Sequence, residues 1–224
     1  MTHQCPYCLK TYKHEHTLLV HVCEQKRRAL AKSDKHVVLG YKTFNRFYQI
    51  CHKSTGMKTY EEFCKSSFYN SFVKFGSFLS NVNPLYPDKF IDYVVASGVK
   101  IDDWCEDGLY DKYVVNLLKT ENVNTALTRS IEYMITWAER NSVEWNEYFK
   151  RVSTIRFAYD IKDGKISPWL ILNSESGKDL LKHLTDEQLD MIQYAIDPSY
   201  WLVKFKQNPT DLNFVKQLIE ESNL

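Results

Sequence analysis

The chain of 224 residues is long enough to bury one sizeable hydrophobic core and to carry a small module beside it. Its net charge of +1 favours no particular class of charged partner, and no apolar run approaches the roughly 18 residues that a membrane span requires. The polar N-terminus does not have the pattern of a signal peptide, so we expect a soluble, intracellular protein in a reducing compartment, with no membrane partner.

The first 23 residues contain a pattern that is typical of a zinc finger. Cys5 and Cys8 are separated by two residues, and His21 follows Cys8 after twelve more. Two thiolates on a tight turn and an imidazole on a following helix can share one tetrahedral metal ion. Tyr12 and Leu18 occupy the positions of the two small core residues of a ββα finger. We therefore predict a ββα-like zinc finger, with zinc as its cofactor.

The fourth metal ligand departs from the two-cysteine two-histidine pattern. That pattern places a second histidine four to six residues beyond the first, where residues 25–27 offer no ligand. Cys23 is the best remaining donor, and His14 and His16 are the alternatives. A spacing of two cannot place His21 and Cys23 on one face of a continuous helix. We therefore expect the helix to break or tighten directly after His21.

A polar and basic connector follows the finger. We expect the finger over residues 1–28, a basic linker over residues 29–37 and a helical domain over residues 38–224. The first 36 residues contain a cluster of cationic side chains: Lys10, Lys13, Lys26, Arg27, Arg28, Lys32 and Lys35. The rest of the chain is slightly acidic, so the basic character belongs to the N-terminal module.

The remaining sequence predicts a mainly α, aromatic-rich domain. Apolar residues recur at helical spacing from Phe44 to Cys51, Thr59 and Glu62 form a predicted capping box, and Pro87 begins a further helix. We expect more helices near residues 110–118, 131–138 and 145–149, and again from about residue 180 to the C-terminus. The 15 tyrosines, 12 phenylalanines and 5 tryptophans are assigned mostly to the core, because aromatic stripes at helical spacing usually pack inward.

One segment has a different period. Ile155, Phe157, Tyr159 and Ile161 alternate with other residues, and Asp163-Gly164 follows as a turn. This alternation predicts a β-hairpin near residues 155–172.

Catalytic residues are not predicted. The seven glycines are scattered singly, so no loop has the pattern that cradles a phosphate. Acidic pairs occur at residues 102–103, 106–107 and 186–187, where helices are expected to begin and carboxylates favour the helix dipole. We therefore expect a protein that is not an enzyme.

Two classes of partner fit the finger. Nucleic acid or an acidic protein partner would meet the cationic side chains of Lys10, Lys13, Lys26, Arg27 and Arg28. The positions that read bases in such a finger are His14, Thr17 and Val20, which lack the side chains of strong readout. Binding to DNA would therefore be weak, nonspecific and sensitive to salt. The other class is a protein partner, with the finger as a rigid docking element.

The segment from Cys5 to Arg28, with His21–Arg28 as its core, resembles the head of a small zinc-finger protein family of T-even-type tailed bacteriophages. The resemblance continues in four further places: Tyr69–Phe78, Arg129–Tyr133, Ile166–Trp169, and Trp201 with Lys204–Phe205. A short His-x-Cys ending is normal in that family, which supports Cys23 as a ligand. The resemblance implies a non-enzymatic factor that assembles the virion baseplate hub with other phage proteins in the cytoplasm of the infected host cell. The alternative is a phage protein that acts in DNA metabolism or transcription.

Overall fold

The computed structural model describes residues 2–53 and 55–224 and is mainly α-helical, which confirms the predicted fold class. The described residues form one small sheet of two strands. The chain divides into two compact units, Met1–Leu109 and Tyr110–Leu224. The boundaries predicted for the finger, the linker and the helical domain stay predictions.

The first unit begins with the finger. Strand β1 (His3–Gln4) pairs antiparallel with β2 (Thr11–Tyr12), and His3 lies opposite Tyr12. The helices that follow are α1 (Glu15–Leu19), α2 (Glu24–Leu30), α3 (Lys35–His52), α4 (Tyr60–Lys65), α5 (Tyr69–Val82) and α6 (Pro87–Ala96), with 3-10 turns at Ala31–Ser33 and Ile101–Asp103. The predicted linker segment is therefore largely helical.

Helix α7 (Asp107–Thr120) contains the boundary between the units. The second unit continues with α8 (Val123–Asn141), a 3-10 turn at Trp145–Glu147, α9 (Tyr148–Arg151), α10 (Thr154–Lys162), α11 (Pro168–Ile171), α12 (Glu175–Lys182), α13 (Asp186–Ile192), α14 (Pro198–Gln207) and α15 (Pro209–Ser222). Within residues 2–53 and 55–224, none of the helices combines the length and the apolar character that a bilayer crossing requires.

Local sequence signals set several helix ends as predicted. The Thr59 side chain accepts a hydrogen bond from the Glu62 amide, and the Glu62 carboxylate accepts one from the Thr59 amide. This reciprocal capping satisfies two amides that the first turn of α4 leaves without helical partners. Pro87 is the first residue of α6, where its missing N–H costs nothing.

The crossing of α3 and α5 organises the first unit. A Cβ atom at Gly76 would lie 2.0 Å from the carbonyl oxygen of His36, and one at Gly40 would lie 2.8 Å from that of Phe72. The two backbones therefore touch where only glycine leaves room. This close approach brings the aromatic side chains of both helices into one core.

The aromatic residues fill that core, as the helical spacing predicted. Phe44, Phe63 and Phe72 are buried, and their ring centroids lie 5.2, 5.4 and 6.4 Å apart. In the second unit, the buried rings of Trp169 and Trp201 meet edge to face at 5.8 Å. These tilted and edge-to-face arrangements are the favoured geometries of aromatic pairs.

The β-hairpin predicted at residues 155–172 is wrong, because the segment forms α10, a turn and α11. The alternating residues also contain two pairs at a spacing of four. Phe157 and Ile161 are buried, whereas Ile155 and Tyr159 are about half exposed. A spacing of four places each pair on one side of a helix, so the pattern is that of an amphipathic helix. The predicted Asp163-Gly164 turn ends α10, and Gly164 adopts a φ of +75°.

A buried carboxylate also favours the helical form of this segment. Asp160 accepts hydrogen bonds of 2.7 Å from the hydroxyls of Tyr133 and Tyr148, and one of 3.1 Å from Arg156 Nε. Arg156 and Asp160 are four residues apart, and a helix brings such residues close whereas a strand holds them well apart. Burial, together with the hydrogen bond to Asp160, raises the pKa of Tyr133 to about 12.

The helix crossing leads to a test of stability. We expect Gly76→Ala to lower the free energy of unfolding by about 1–3 kcal/mol, because the added methyl group has to push α3 and α5 apart. Gly108→Ala is the matched control, since a Cβ there meets nothing within 4 Å and alanine favours a helix. The control is expected to gain about 0.5 kcal/mol. Urea denaturation measures both, and an unchanged stability for Gly76→Ala would contradict the close crossing.

Candidate metal centre

The turn between β1 and β2 brings the first two cysteines together. The Cys5 amide donates to the Lys10 carbonyl, and the Leu9 amide donates to the Cys5 carbonyl, both at 2.9 Å. Leu9 closes this turn with a φ of +60°, in the left-handed region that favours glycine and asparagine. The turn leaves Cys5 almost fully buried and holds Cys8 beside it.

The third ligand lies just beyond the finger helix rather than within it. Helix α1 ends at Leu19, and the His21 amide donates to the Leu18 carbonyl in a tightened final turn. The helix was predicted to break directly after His21. It ends two residues earlier, at Leu19, so that prediction is wrong about the position. The chain is extended at Cys23, with φ −112° and ψ 162°. An extended connection allows two residues at a spacing of two to reach one point, which a continuous helix does not.

Cys23 begins the next helix. It is the N-cap residue of α2, and its sulfur accepts a hydrogen bond of 3.4 Å from the Lys26 amide. An N-cap side chain satisfies one of the amides at the start of a helix. Cys23 therefore both contributes its sulfur to the cluster and fixes the start of α2.

The four predicted ligands converge. The donor atoms of Cys5, Cys8, His21 and Cys23 all lie within 4.8 Å of one another. The sulfurs of Cys5 and Cys23 are 4.0 Å apart, and the Cys8 sulfur is 3.3 Å from Nε2 of His21. Tetrahedral bonds of about 2.3 Å to sulfur and about 2.0 Å to nitrogen require separations of roughly 3.5–3.8 Å. The cluster therefore has the dimensions that could hold a metal ion.

The alternative donors do not join this cluster. His14 and His16 belong to no group of three or more ligating residues among residues 2–53 and 55–224. Cys51, Cys64 and Cys105 lie outside it as well, and all six cysteines are free. Cys23 is thus the fourth donor that the structure brings to the cluster.

Hydrogen bonds act on two of the donor residues, His21 and Cys5. Tyr12 and His21 meet at 2.8 Å through the Tyr12 hydroxyl and Nδ1 of the imidazole. With a metal ion on Nε2, Nδ1 carries the proton and donates to the hydroxyl, which orients the ring. A hydrogen bond from the Cys8 amide lowers the pKa of the Cys5 thiol, whereas burial and the neighbouring sulfurs raise the pKa of the Cys8 thiol.

The cationic side chains proposed for nucleic acid are in different environments. Lys10, Lys13 and Arg27 are exposed, and Lys26 places its ammonium 3.4 Å from the His21 carbonyl. Arg28 differs, because its side chain is only 13% exposed and points into the first unit.

Arg28 serves the fold. Its guanidinium donates to the carbonyls of Cys64 and Ser66 at 2.8 and 3.3 Å and lies over the Tyr69 ring at 4.4 Å. It also pairs with Glu24. Guanidinium groups suit such stacked, multiply bonded positions. Sequence reasoning missed this role because the partners are more than 30 residues away.

Sequence reasoning also missed an exposed apolar group beside the ligands. Leu9, Leu19, Val20 and Val22 are 67%, 70%, 63% and 66% exposed. The signal was in the sequence, since Leu18 is the residue of this segment that occupies a finger core position. Its apolar neighbours therefore had no interior to enter.

Comparison with known proteins finds no matching family model, no similar curated protein and no similar solved structure. The resemblance to a phage family accordingly stays a prediction.

The cluster predicts which cysteines control metal binding. We expect Cys8→Ser to weaken Co²⁺ binding at least tenfold and to remove part of the thiolate-to-cobalt absorption, because one of three sulfur donors is lost. Cys51→Ser is the matched control, since Cys51 is exposed and lies outside the cluster. A titration followed by absorption measures both. Equal Co²⁺ spectra for Cys8→Ser and the unchanged protein would contradict the assignment.

Proposed function

We propose that the chain is a non-enzymatic interaction protein whose N-terminal finger is folded by one structural zinc ion. The observation that carries this proposal is the convergence of three sulfurs and one imidazole nitrogen within 4.8 Å. Thiolate and imidazole donors in a tetrahedral set suit zinc, whereas Mg²⁺ and Ca²⁺ prefer oxygen ligands.

The ligand set supports a structural rather than a catalytic metal. Catalytic zinc sites keep one coordination position open for water or substrate, and structural sites are closed by four protein ligands. Cys5, Cys8, His21 and Cys23 supply four. The acidic pairs also have structural positions, since Asp186 and Glu187 are exposed in the first turn of α13.

The finger favours a protein partner over DNA. Helix α1 has five residues and is therefore about 7.5 Å long, too short to lay several side chains along a major groove. Val20, one of the base-reading positions, lies beyond the helix as its C-cap. Arg28 is engaged within the first unit and is not available to a phosphate.

The biological setting that we propose is assembly of the baseplate hub of a tailed phage in the cytoplasm of the infected cell. The sequence resemblance alone supports this setting. A docking finger joined to a helical body suits such a role, because assembly factors act by holding other proteins and need no reaction centre.

A DNA titration tests the proposed class of partner. Native mass spectrometry first establishes one zinc ion per chain, and fluorescence anisotropy then follows a short labelled duplex. We expect a Kd weaker than about 1 μM at physiological salt, because Arg28 is engaged within the first unit and four of the five cations predicted to contact nucleic acid remain. For the same reason, any binding at low salt is expected to have a log–log salt slope no steeper than about −4.

Charge reversal identifies the source of any binding. Lys26→Glu with Arg27→Glu changes the finger, and Lys150→Glu with Arg151→Glu is the matched control in exposed positions of the second unit. Submicromolar binding at physiological salt that only the finger variant abolishes would overturn the proposal in favour of nucleic acid. A chain that holds no zinc would overturn its metal part.

A further inference from the structure

We infer that Leu9, Leu19, Val20 and Val22 form a docking face that binds an acidic, apolar segment of another protein. This inference rests on the proposed function and names the surface and the chemistry of the partner. We call these four residues the apolar face of the finger.

The metal ligands bring the apolar face together. Leu9 follows Cys8 directly, and Val20 and Val22 flank His21. The Cys8 sulfur and the His21 nitrogen are 3.3 Å apart, and neighbouring Cα atoms are only about 3.8 Å apart. Three of the four residues are therefore next to a predicted metal ligand in the chain, and Leu19 is two residues from His21. Their spacing depends on the same contacts that hold the ion.

These four side chains are largely exposed, because the small finger has no interior for them to enter. Each of the four is between 63% and 70% exposed, and exposed apolar patches mark interaction sites on soluble proteins.

The backbone at Leu9 is a second, independent observation. Leu9 holds a φ of +60° although glycine or asparagine adopts that conformation at lower cost. A leucine in this place gains little from burial, because it is 67% exposed. Its side chain is therefore better explained by a contact outside the finger than by the stability of the turn.

Charge defines the partner. Lys10 follows Leu9, and the ammonium of Lys26 lies 3.4 Å from the His21 carbonyl, between Val20 and Val22 in the chain. Glu15 and Glu24 are the acidic residues of positions 2–28, and Glu24 already pairs with Arg28. An apolar face bordered by cations is complementary to an apolar segment bordered by carboxylates.

The same features disfavour the other occupants. A second copy would bring two basic faces together, and like charges across an interface are unfavourable. Helices that lie on a membrane surface present a long amphipathic face, whereas α1 has only five residues. Apolar side chains also add nothing to phosphate contacts. A protein segment is the occupant that uses both the apolar and the cationic groups.

Selection from a displayed library of random 16-residue peptides tests the docking face on the zinc-loaded full chain. We expect the enriched peptides to combine Leu, Ile or Phe with Asp or Glu, and to bind with micromolar Kd in solution. The double variant Val20→Ser, Val22→Ser is expected to weaken binding at least tenfold. Leu202→Ser, Val203→Ser is the matched control, since these residues of α14 are 59% and 52% exposed, and it is expected to bind normally.

Leu9→Gly separates docking from folding. Glycine relieves the left-handed backbone, so zinc affinity is expected to stay equal or to rise up to about fivefold, while peptide affinity falls. Zinc content is measured for every variant, so that an unfolded finger is not mistaken for a lost contact.

Four results would overturn the inference while leaving the zinc finger intact. These are zinc-loaded protein that enriches no peptide, peptides that bind the finger variants as well as the unchanged chain, peptides without acidic residues, and a dimer that the double variant dissociates. Loss of zinc binding in the unchanged chain would instead overturn the proposed function itself.

Discussion

Three sulfurs and one nitrogen meet within 4.8 Å near the N-terminus, where they could hold a metal ion, and the proposed finger depends on this convergence. In residues 2–23 only Cys5 is fully buried, whereas Tyr12 and Leu18 are half-buried. Burial of one apolar side chain contributes about 1.5–3 kcal/mol, while a structural zinc ion in a finger peptide has an apparent binding free energy of about 10–16 kcal/mol. A metal ion therefore outweighs anything that so small a core could supply, and the apolar side chains around it are left free to face outward.

Helix α2 connects this cluster to the helices of the first unit. Cys23 is at once a donor and the N-cap, and Arg28 near the other end of the helix bonds to carbonyls of Cys64 and Ser66. The basic segment is thus divided between a structural role and a surface role. What remains at the surface is a small set of cations beside the apolar face of the finger. This combination is the basis of the docking face that we propose.

The Cys/His cluster and the helical class could be predicted from the sequence because both rest on local spacing. Cys5, Cys8 and His21 follow a known interval, and the capping box at Thr59 is a signal four residues long. The end of α1 was misplaced because the requirement that His21 and Cys23 share one point is three-dimensional. The helix at residues 154–162 was predicted to be a strand because a set of residues spaced by two also contains pairs spaced by four. The contacts of the Asp160 carboxylate, which favour the helix over the strand, come from α8 and α9.

The central claim is that a metal ion folds the finger while the helices beyond it fold by packing. Hydrogen–deuterium exchange of the full chain, resolved by peptide and compared with and without zinc, tests this most directly. The account predicts that residues 2–30 exchange much faster without zinc, whereas α3 and α5 keep their protection, because their core is built from Phe44, Phe72 and the close backbone contact at the two glycines. Equal protection of residues 2–30 in both states would contradict the account, and so would a loss of protection throughout the chain.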